Sequence, residues 1–280
     1  MKKHWLPALA WVIALATGPA GASAQQSDVD MRTFERPIAA LDNVWIEELT
    51  MPEVRDYLAD GMTTALIVTG GIEENGPYLT TGKHNHVMRV MGEAIARKMG
   101  NTLIAPLVTL EPSDPTRDIP GSVFVSRPTF EAYLTDMATS LKSQGFTEVF
   151  LLSDNGGSQR SLTAVAEKLA EEWKDEPVLI AHIAAYYNYD DVLVFQKDEL
   201  GIDEDPRLEG FHDDYYITSI IMNDDPRHVR LEQRVEADKA SINGISIVPV
   251  EKTLAHGRRI IEFRTEATVS AVERLRAERH

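Results

Sequence analysis

Short apolar runs alternate along this chain with longer segments in which apolar residues recur at helical spacing. Four apolar runs that end in glycine or polar residues are predicted as strands, at 64–71, 101–110, 148–157 and 177–187. Three segments between them carry the helical pattern, at 85–100, 127–146 and 158–174. This β-α-β-α-β-α-β order predicts an α/β fold, a three-layer α/β/α sandwich with a mainly parallel central sheet.

The chain beyond the fourth strand is less regular. Residues 188–211 are acidic and show no clear period, so we expect an irregular excursion over the site. A helical pattern resumes at 212–223, and a final amphipathic segment covers 253–279. With no internal repeat, one domain over residues 45–280 is the simplest organisation.

The N-terminus has the pattern of an export signal. Two lysines precede an apolar run at 5–16, and a small-residue cleavage pattern at 22–24 follows. We predict that residues 1–24 are a signal peptide cleaved after Ala24, giving a periplasmic or secreted protein, and that residues 25–44 are a lead-in. The alternative is an anchor helix, but the run is short for a bilayer span, so no stable membrane insertion is expected after cleavage.

Composition narrows the classes of function. Of 280 residues, 43% are hydrophobic, which suffices for a normal core, and the formal net charge is −16. That charge argues against nucleic-acid partners and anionic lipid surfaces, which select basic faces. There is no cysteine, so any metal site must use His, Asp, Glu, Asn or water.

Polar residues that could carry chemistry follow the predicted strands. Glu73, Glu74 and Asn75 follow the first strand, and Asp154 and Asn155 follow the third. Ligands of open parallel sheets bind outside the carboxyl ends of the strands. We therefore expect these side chains to lie close together.

A third polar group, His212 with Asp213 and Asp214, precedes a predicted helix. Three loops could then bring Glu73, His84, Asp154 and His212 to one point. Mixed His and carboxylate ligands suit Zn²⁺, Mn²⁺ or Fe²⁺ better than Ca²⁺. Asp213 and Asp214 are expected to reach back to His84.

Each of these residues also has a structural interpretation. Glu73 and Glu74 could form a solvated acidic turn, while Asp154 and His212 could each cap a helix. His86 is expected to be an ordinary residue of a first helical turn. Three tyrosines are expected to belong to the core and pocket wall: Tyr186, Tyr187 and Tyr189.

The segment "EENGPYLTTGKH" resembles the first signature of the creatininase family of metal-dependent amidohydrolases. In this resemblance, which covers about 45–272, Glu73 falls on the family's metal-binding glutamate. Asn75 falls on a histidine ligand, and His84 falls on the aspartate that bridges the metals. The strongest departures therefore lie at the ligand positions.

Two later segments extend the resemblance. "SDNGGS" is similar to the second signature, with Asn155 at a histidine position and Asp154 one residue earlier. "HDDYYITS" is similar to the third, keeping His212 and replacing a glutamate with Ile217. Because His84, Asp154 and Asp213 stand at or beside vacated positions, the resemblance implies a rewired site.

The resemblance implies hydrolysis of a small, cyclic amide C–N bond, with one divalent transition metal per chain. Zn²⁺ and Mn²⁺ are the leading candidates, followed by Fe²⁺. It also implies a homo-oligomer, often a hexamer. The predicted roles are metal binding for Glu73, His84, Asp154 and His212; catalysis for Glu74, His212 and Asp213; and contact with a small-molecule substrate for Asn75, Tyr78 and Asn155.

Three other classes remain open. One is a periplasmic small-molecule binding protein, and a second is a metal-free hydrolase or isomerase that uses His212 with Asp213. The third is an assembly or scaffold subunit. Several titratable groups converging at strand ends favour an enzyme over a scaffold.

Overall fold

The computed structural model describes residue 30 and residues 32–279, so the predicted signal peptide lies outside the described residues. The chain divides into two compact units, residues 1–35 and 36–280. In the described part of the first, the backbone N–H groups of Thr33 and Phe34 donate to the carbonyl of Asp30. The second unit contains all the helices and strands described below.

Four parallel strands form the central sheet. The strands in chain order are β1 (Thr64–Thr69), β2 (Thr102–Ile104), β3 (Glu111–Pro112), β4 (Phe124–Val125), β5 (Glu148–Ser153), β6 (Leu179–His182), β7 (Ser241–Ile242) and β8 (Ile245–Ser246). The central order is β2-β1-β5-β6, whereas β3 with β4 and β7 with β8 form separate two-stranded sheets. The predicted parallel sheet is confirmed.

Helices cover both faces of that sheet. They are α1 (Met51–Ala59), α2 (Lys83–Met99), α3 (Arg127–Gln144), α4 (Gln159–Glu172), α5 (Tyr189–Leu200), α6 (Tyr215–Met222), α7 (Leu231–Glu236) and α8 (Val250–Glu278). No helix in this described part of the chain has an apolar stretch long enough to cross a bilayer.

The alternation of side chains along β1 produces two cores. Leu66 and Val68 pack with residues of α2, α6 and α8, whereas Ala65 and Ile67 pack with α3 and α4. Successive strand residues point to opposite faces, so a strand apolar at every position must be covered on both sides. The three-layer prediction is therefore confirmed.

The prediction for residues 188–211 is wrong over its first half. This half forms α5, which buries Val192 and Gln196 and ends at Gly201 with φ of 69°. Asp190 and Asp191 lie in its first turn, where negative charge favours a helix. The acidic composition thus reflects a helix start as well as exposure.

The sheet positions the polar residues. Thr69 of β1 lies beside Ser153 of β5 in parallel register, so both strands end at the same edge. Glu73 follows one strand end and Asp154 the other. Helix α2 begins at Lys83, which places Lys83 and His84 in its first turn above this edge.

Candidate functional site

A buried histidine joins the two strand ends. His84 Nε2 lies 2.7 Å from Glu73 Oε1, and His84 Nδ1 lies 2.8 Å from Asp154 Oδ2. Burial lowers the pKa of His84, but the hydrogen bonds to Asp154 and Glu73 outweigh it and leave the pKa raised. A raised pKa favours the imidazolium, whose two N–H groups each donate to a carboxylate.

Two further cations complete this cluster. Lys83 Nζ lies 3.2 Å from Glu73 Oε1 and donates to the His212 carbonyl at 2.8 Å. Arg264, from α8, places Nη2 3.1 Å from Asp154 Oδ1. Both cationic side chains are at most 2% exposed. Such buried ion pairs depend on each other, since loss of one partner leaves an uncompensated charge.

The cations keep both carboxylates ionised despite burial. Burial raises the pKa of Glu73, but the His84 hydrogen bond and the charges of His84, Lys83 and His212 lower it to about 2. Burial likewise raises the pKa of Asp154, but Arg264 and His84 bring it below its ordinary value. We call the set Glu73, Lys83, His84, Asp154 and Arg264 the ionic cluster.

Glu111 is a carboxylate of this region that sequence reasoning missed. It is 3% exposed, and neither carboxylate oxygen has a hydrogen-bond partner. Burial and the negative charge of Glu73 raise its pKa to about 7. A Cβ on Gly71 would lie 2.4 Å from Glu111 Oε2, so any other residue at this position would displace the Glu111 carboxylate. Its position just after the predicted strand 101–110 was the available signal.

His212 lies at the rim, with 61% of its side chain exposed. Its Nδ1 is 3.3 Å from the Glu74 carbonyl oxygen and 3.5 Å from Glu73 Oε1. Because a carbonyl can only accept, Nδ1 carries the proton and Nε2 keeps a free lone pair. Desolvation and the Lys83 charge lower the pKa of His212, so the ring is neutral at pH 7.

Three members of the ionic cluster, Lys83, His84 and Asp154, line a cavity of about 450 Å³, and we call this part of its surface the floor. His212 lines the same cavity with a largely exposed side chain. The remaining walls are aromatic and polar, formed by Tyr187, Tyr189, Arg207, Phe211, Asp213, Asp214 and Tyr216, together with Pro206, Gly210 and Ile217. Its size and mixed lining suit a small polar ligand.

Asp214 is a cavity-lining carboxylate whose pKa is raised. Burial and the negative charge of Glu204 raise the pKa of Asp214 to about 7. The Tyr189 hydroxyl donates to it at 3.4 Å. Because Asp214 lines the cavity directly, it can exchange a proton with a bound molecule near neutral pH.

Other predicted site residues lie elsewhere. The carboxylate of Glu74 turns away from the cavity, accepting from Ser122 Oγ at 2.6 Å and pairing with Arg117 at 3.2 Å. The Asn75 amide donates to the carbonyls of Glu73 and Thr80 and so braces the turn. The Tyr78 ring packs on the Arg234 guanidinium, 4.5 Å from its centroid. None of Glu74, Asn75 and Tyr78 lines the cavity.

The last two predicted site residues, Asn155 and Asp213, differ in their hydrogen bonding. Asn155 Nδ2 donates to Glu73 Oε2 at 3.4 Å, and its Oδ1 accepts from the Gly157 N–H. Asn155 therefore provides the cap that Asp154 could have provided. Asp213 is buried at the cavity wall, and its carboxylate has no hydrogen-bond partner. The expectation that Asp213 and Asp214 reach back to His84 is wrong for both, because Glu73 and Asp154 occupy both nitrogens of the His84 ring.

The donor set at the ionic cluster does not fit a metal centre. Both nitrogens of His84 are engaged, and Lys83 Nζ lies against the same Glu73 oxygen that would bind an ion. A divalent cation there would meet the positive charges of Lys83, His84 and Arg264 at short range. The predicted ligands Glu73, His84, Asp154 and His212 cluster, but they are not arranged as a ligand set.

Comparison with known proteins identifies relatives of the fold. The family profile described as creatinine amidohydrolase matches residues 47–274. A mutant creatininase structure matches with a TM-score of 0.62 at 16% identity, covering 83% of this chain and 98% of that one. A Zn–Zn form of a mutant creatininase matches with a TM-score of 0.57 at 16% identity, covering 85% of this chain and 99% of that one. A manganese form of creatininase matches with a TM-score of 0.56 at 17% identity, covering 84% of this chain and 98% of that one.

A curated relative has a hydrolase name. The 3-dehydro-scyllo-inosose hydrolase of Thermotoga maritima is 26% identical over 158 residues, which are 56% of this chain and 49% of that protein. The chain thus spans about half the length of the curated relative. The family profile and this name together support a hydrolase.

Proposed function

This chain belongs to the creatininase family, and we propose that it hydrolyses a bond beside the carbonyl group of a small polar ring compound, using the charges of its own side chains. Creatinine and 3-dehydro-scyllo-inosose, named for its relatives, are small rings with carbonyl groups. An amide C–N bond, as the sequence predicted, is one bond of this class. The size of the cavity supports a substrate of this scale.

The observation that carries the proposal is the Lys83 ammonium on the cavity floor. It is held between Glu73 Oε1 and the His212 carbonyl, and it lines the cavity beside His84. Attack on a carbonyl group generates an oxyanion. Preorganised positive charge in a site shielded from water stabilises such an oxyanion strongly.

His212 is placed to activate water. Its Nδ1–H is held by the Glu74 carbonyl and faces Glu73, so Nε2 takes a proton from water. The resulting hydroxide adds to the carbonyl carbon while Lys83 faces the oxygen. Asp214, protonated in part near pH 7, gives a proton to the departing ring atom as its bond to the carbonyl carbon breaks. Water is thereby divided between the two ends of the opened ring.

His212 can be tested directly. Ring-opening of a panel of small lactams and cyclic polyol ketones would be followed by mass spectrometry. We expect His212→Gln to lower kcat/KM about 10²–10⁴-fold and to abolish the fall in rate below the pKa of His212. His182→Gln is the matched control, because His182 bonds to Thr163 and Gln159 away from the cavity.

Two outcomes would contradict the proposal. Undiminished activity of His212→Gln would show that His212 is not the general base. Tight binding of panel compounds without turnover would favour the small-molecule binding protein instead.

The metal-dependent form of the hypothesis places Zn²⁺, Mn²⁺ or Fe²⁺ at this site. The metal forms among the matched structures support it, but the donor set does not. Supplementation separates the two forms. If the chelated protein were inactive and regained activity with Zn²⁺ or Mn²⁺ only when Glu73 was intact, the metal-dependent form would replace ours.

Export and assembly are also proposed. Cleavage after Ala24 would be established by mass spectrometry of the native N-terminus, and an intact Met1 would contradict it. Sedimentation would establish the oligomer that the family resemblance implies, and a monomer would contradict it.

A further inference from the structure

Three potential metal ligands meet on the other side of the first turn of α2. A ligand atom from each of His86, Asp224 and His228 lies within 4.8 Å of the others. The two imidazole rings stack, with centroids 3.5 Å apart and planes inclined by 18°. Within the described residues this is the one group of three such ligands, and none of them lines the cavity of the ionic cluster.

The described side chains of this group make no hydrogen bond or ion pair, although the charges of Arg89 and Asp225 act on the His86 ring. Across the part of the chain that the structure describes, no hydrogen bond or ion pair uses a ring nitrogen of His86 or His228, or the carboxylate of Asp224. The stacking of two imidazole rings leaves their ring nitrogens unbonded. Their free lone pairs next to a carboxylate form a ready set of donors for a cation.

The backbone fixes the positions of all three, and the Asp224 N–H donates to the Ile221 carbonyl at 2.9 Å. His86 lies in the first turn of α2, where its N–H donates to the Gly82 carbonyl. Asp225 caps the short 3-10 helix Pro226–Val229 that carries His228. The His228 carbonyl accepts from the Thr80 N–H, which ties this helix to the loop before α2.

We propose that His86, Asp224 and His228 form a binding site for a divalent transition metal, outside the ionic cluster. Two imidazole nitrogens and one carboxylate oxygen suit Zn²⁺, Co²⁺, Ni²⁺ or Cu²⁺, whereas Ca²⁺ and Mg²⁺ prefer oxygen ligands. His86 and His228 are half-buried and Asp224 is exposed, so water completes the coordination. The bound ion connects the start of α2 to the segment between α6 and α7.

This connection gives the site a structural consequence. Helix α2 carries Lys83 and His84 two or three residues before His86, so an ion that fixes its first turn also fixes the helix that presents the cavity floor. Any ligand that binds only the folded state raises its stability by mass action. The inference does not rest on the proposed hydrolysis.

The experiment uses untagged protein that has been dialysed against chelator. Zn²⁺ binding is measured by calorimetry and Co²⁺ binding by visible absorption. We expect one equivalent per chain and a raised Tm with Zn²⁺. His86→Asn and His228→Asn should each weaken Zn²⁺ binding more than about 100-fold, beyond the usual loss of an outer-shell partner, and should abolish the Tm shift.

Two controls locate the ion. His182→Asn removes an imidazole elsewhere, and Glu73→Gln removes the family's metal-binding carboxylate; both should retain the full equivalent. Unchanged binding in His86→Asn and His228→Asn, or loss of binding in Glu73→Gln alone, would overturn the proposal. Because these readouts involve no substrate, they are independent of the hydrolase assay.

Discussion

Two histidines in the same helical turn have opposite surroundings. His84 is 6% exposed and bonds to carboxylates through both ring nitrogens. His86, two residues later, stacks on His228 beside Asp224. Residues two apart on a helix face different directions. Whether a histidine is available to a metal therefore depends on whether its ring nitrogens are already bonded to other groups of the protein.

The comparison also separates two ways to stabilise a buried carboxylate. At the ionic cluster, the ammonium of Lys83, the imidazolium of His84 and the guanidinium of Arg264 neutralise Glu73 and Asp154. In many metal sites of proteins that role belongs to the ion. The cluster thus takes its positive charge from side chains, and in the proposed function that charge is available to a substrate.

The largest expected effect is on stability. His84→Ala leaves Glu73 and Asp154 without their shared partner, so we expect a loss of about 3–5 kcal/mol in the free energy of unfolding. His86→Ala in metal-free protein should change it by less than about 1 kcal/mol, because the His86 side chain makes no hydrogen bond. Urea denaturation measures both. Equal losses would show that the two histidines are not distinct.

The next effect is on catalysis. Lys83→Met keeps the length of the side chain but removes the charge from the cavity floor. We expect kcat to fall about 10²–10³-fold, as when an oxyanion donor is lost. Circular dichroism would first establish that the variant is folded. A folded variant with unchanged kcat would show that Lys83 does not stabilise the oxyanion. Its role would then be structural, through its contacts with Glu73 and the His212 carbonyl.

The smallest effect concerns Glu111. Its folded pKa is raised from 4.5 to about 7, so the native state holds a proton that the unfolded state has released. Between these pH values Glu111 therefore lowers stability as pH rises, by about 3 kcal/mol in total. Glu111→Gln should remove that decline. Denaturation curves from pH 4.5 to 8 would measure it, and identical slopes for wild type and variant would contradict it.

The predictions that succeeded rest on the binding of ligands outside the carboxyl ends of parallel strands. The parallel sheet follows from alternating patterns, and Glu73 and Asp154 meet because β1 and β5 end at one edge. His84 was correctly grouped with them. These inferences needed only local pattern and the general topology of parallel sheets.

What sequence reasoning missed depended on tertiary contacts. Arg264 lies 110 residues from Asp154 and within an amphipathic pattern, where nothing distinguishes a buried arginine from an exposed one. The predicted helix began at residue 85, which left Lys83 outside it. In the structure α2 begins at Lys83, and the side chain of Lys83 is buried. The pairing of His86 with His228 depends on a short 3-10 helix that has no clear sequence signal.

The most direct test of this account is anomalous diffraction from crystals of untagged protein grown with Zn²⁺. We expect an anomalous peak bonded to His86, Asp224 and His228, and none within bonding distance of Glu73 or His84. A peak that joins Glu73 to His84 or His212 would contradict it, since the cluster would then hold the metal that its own cations are argued to replace.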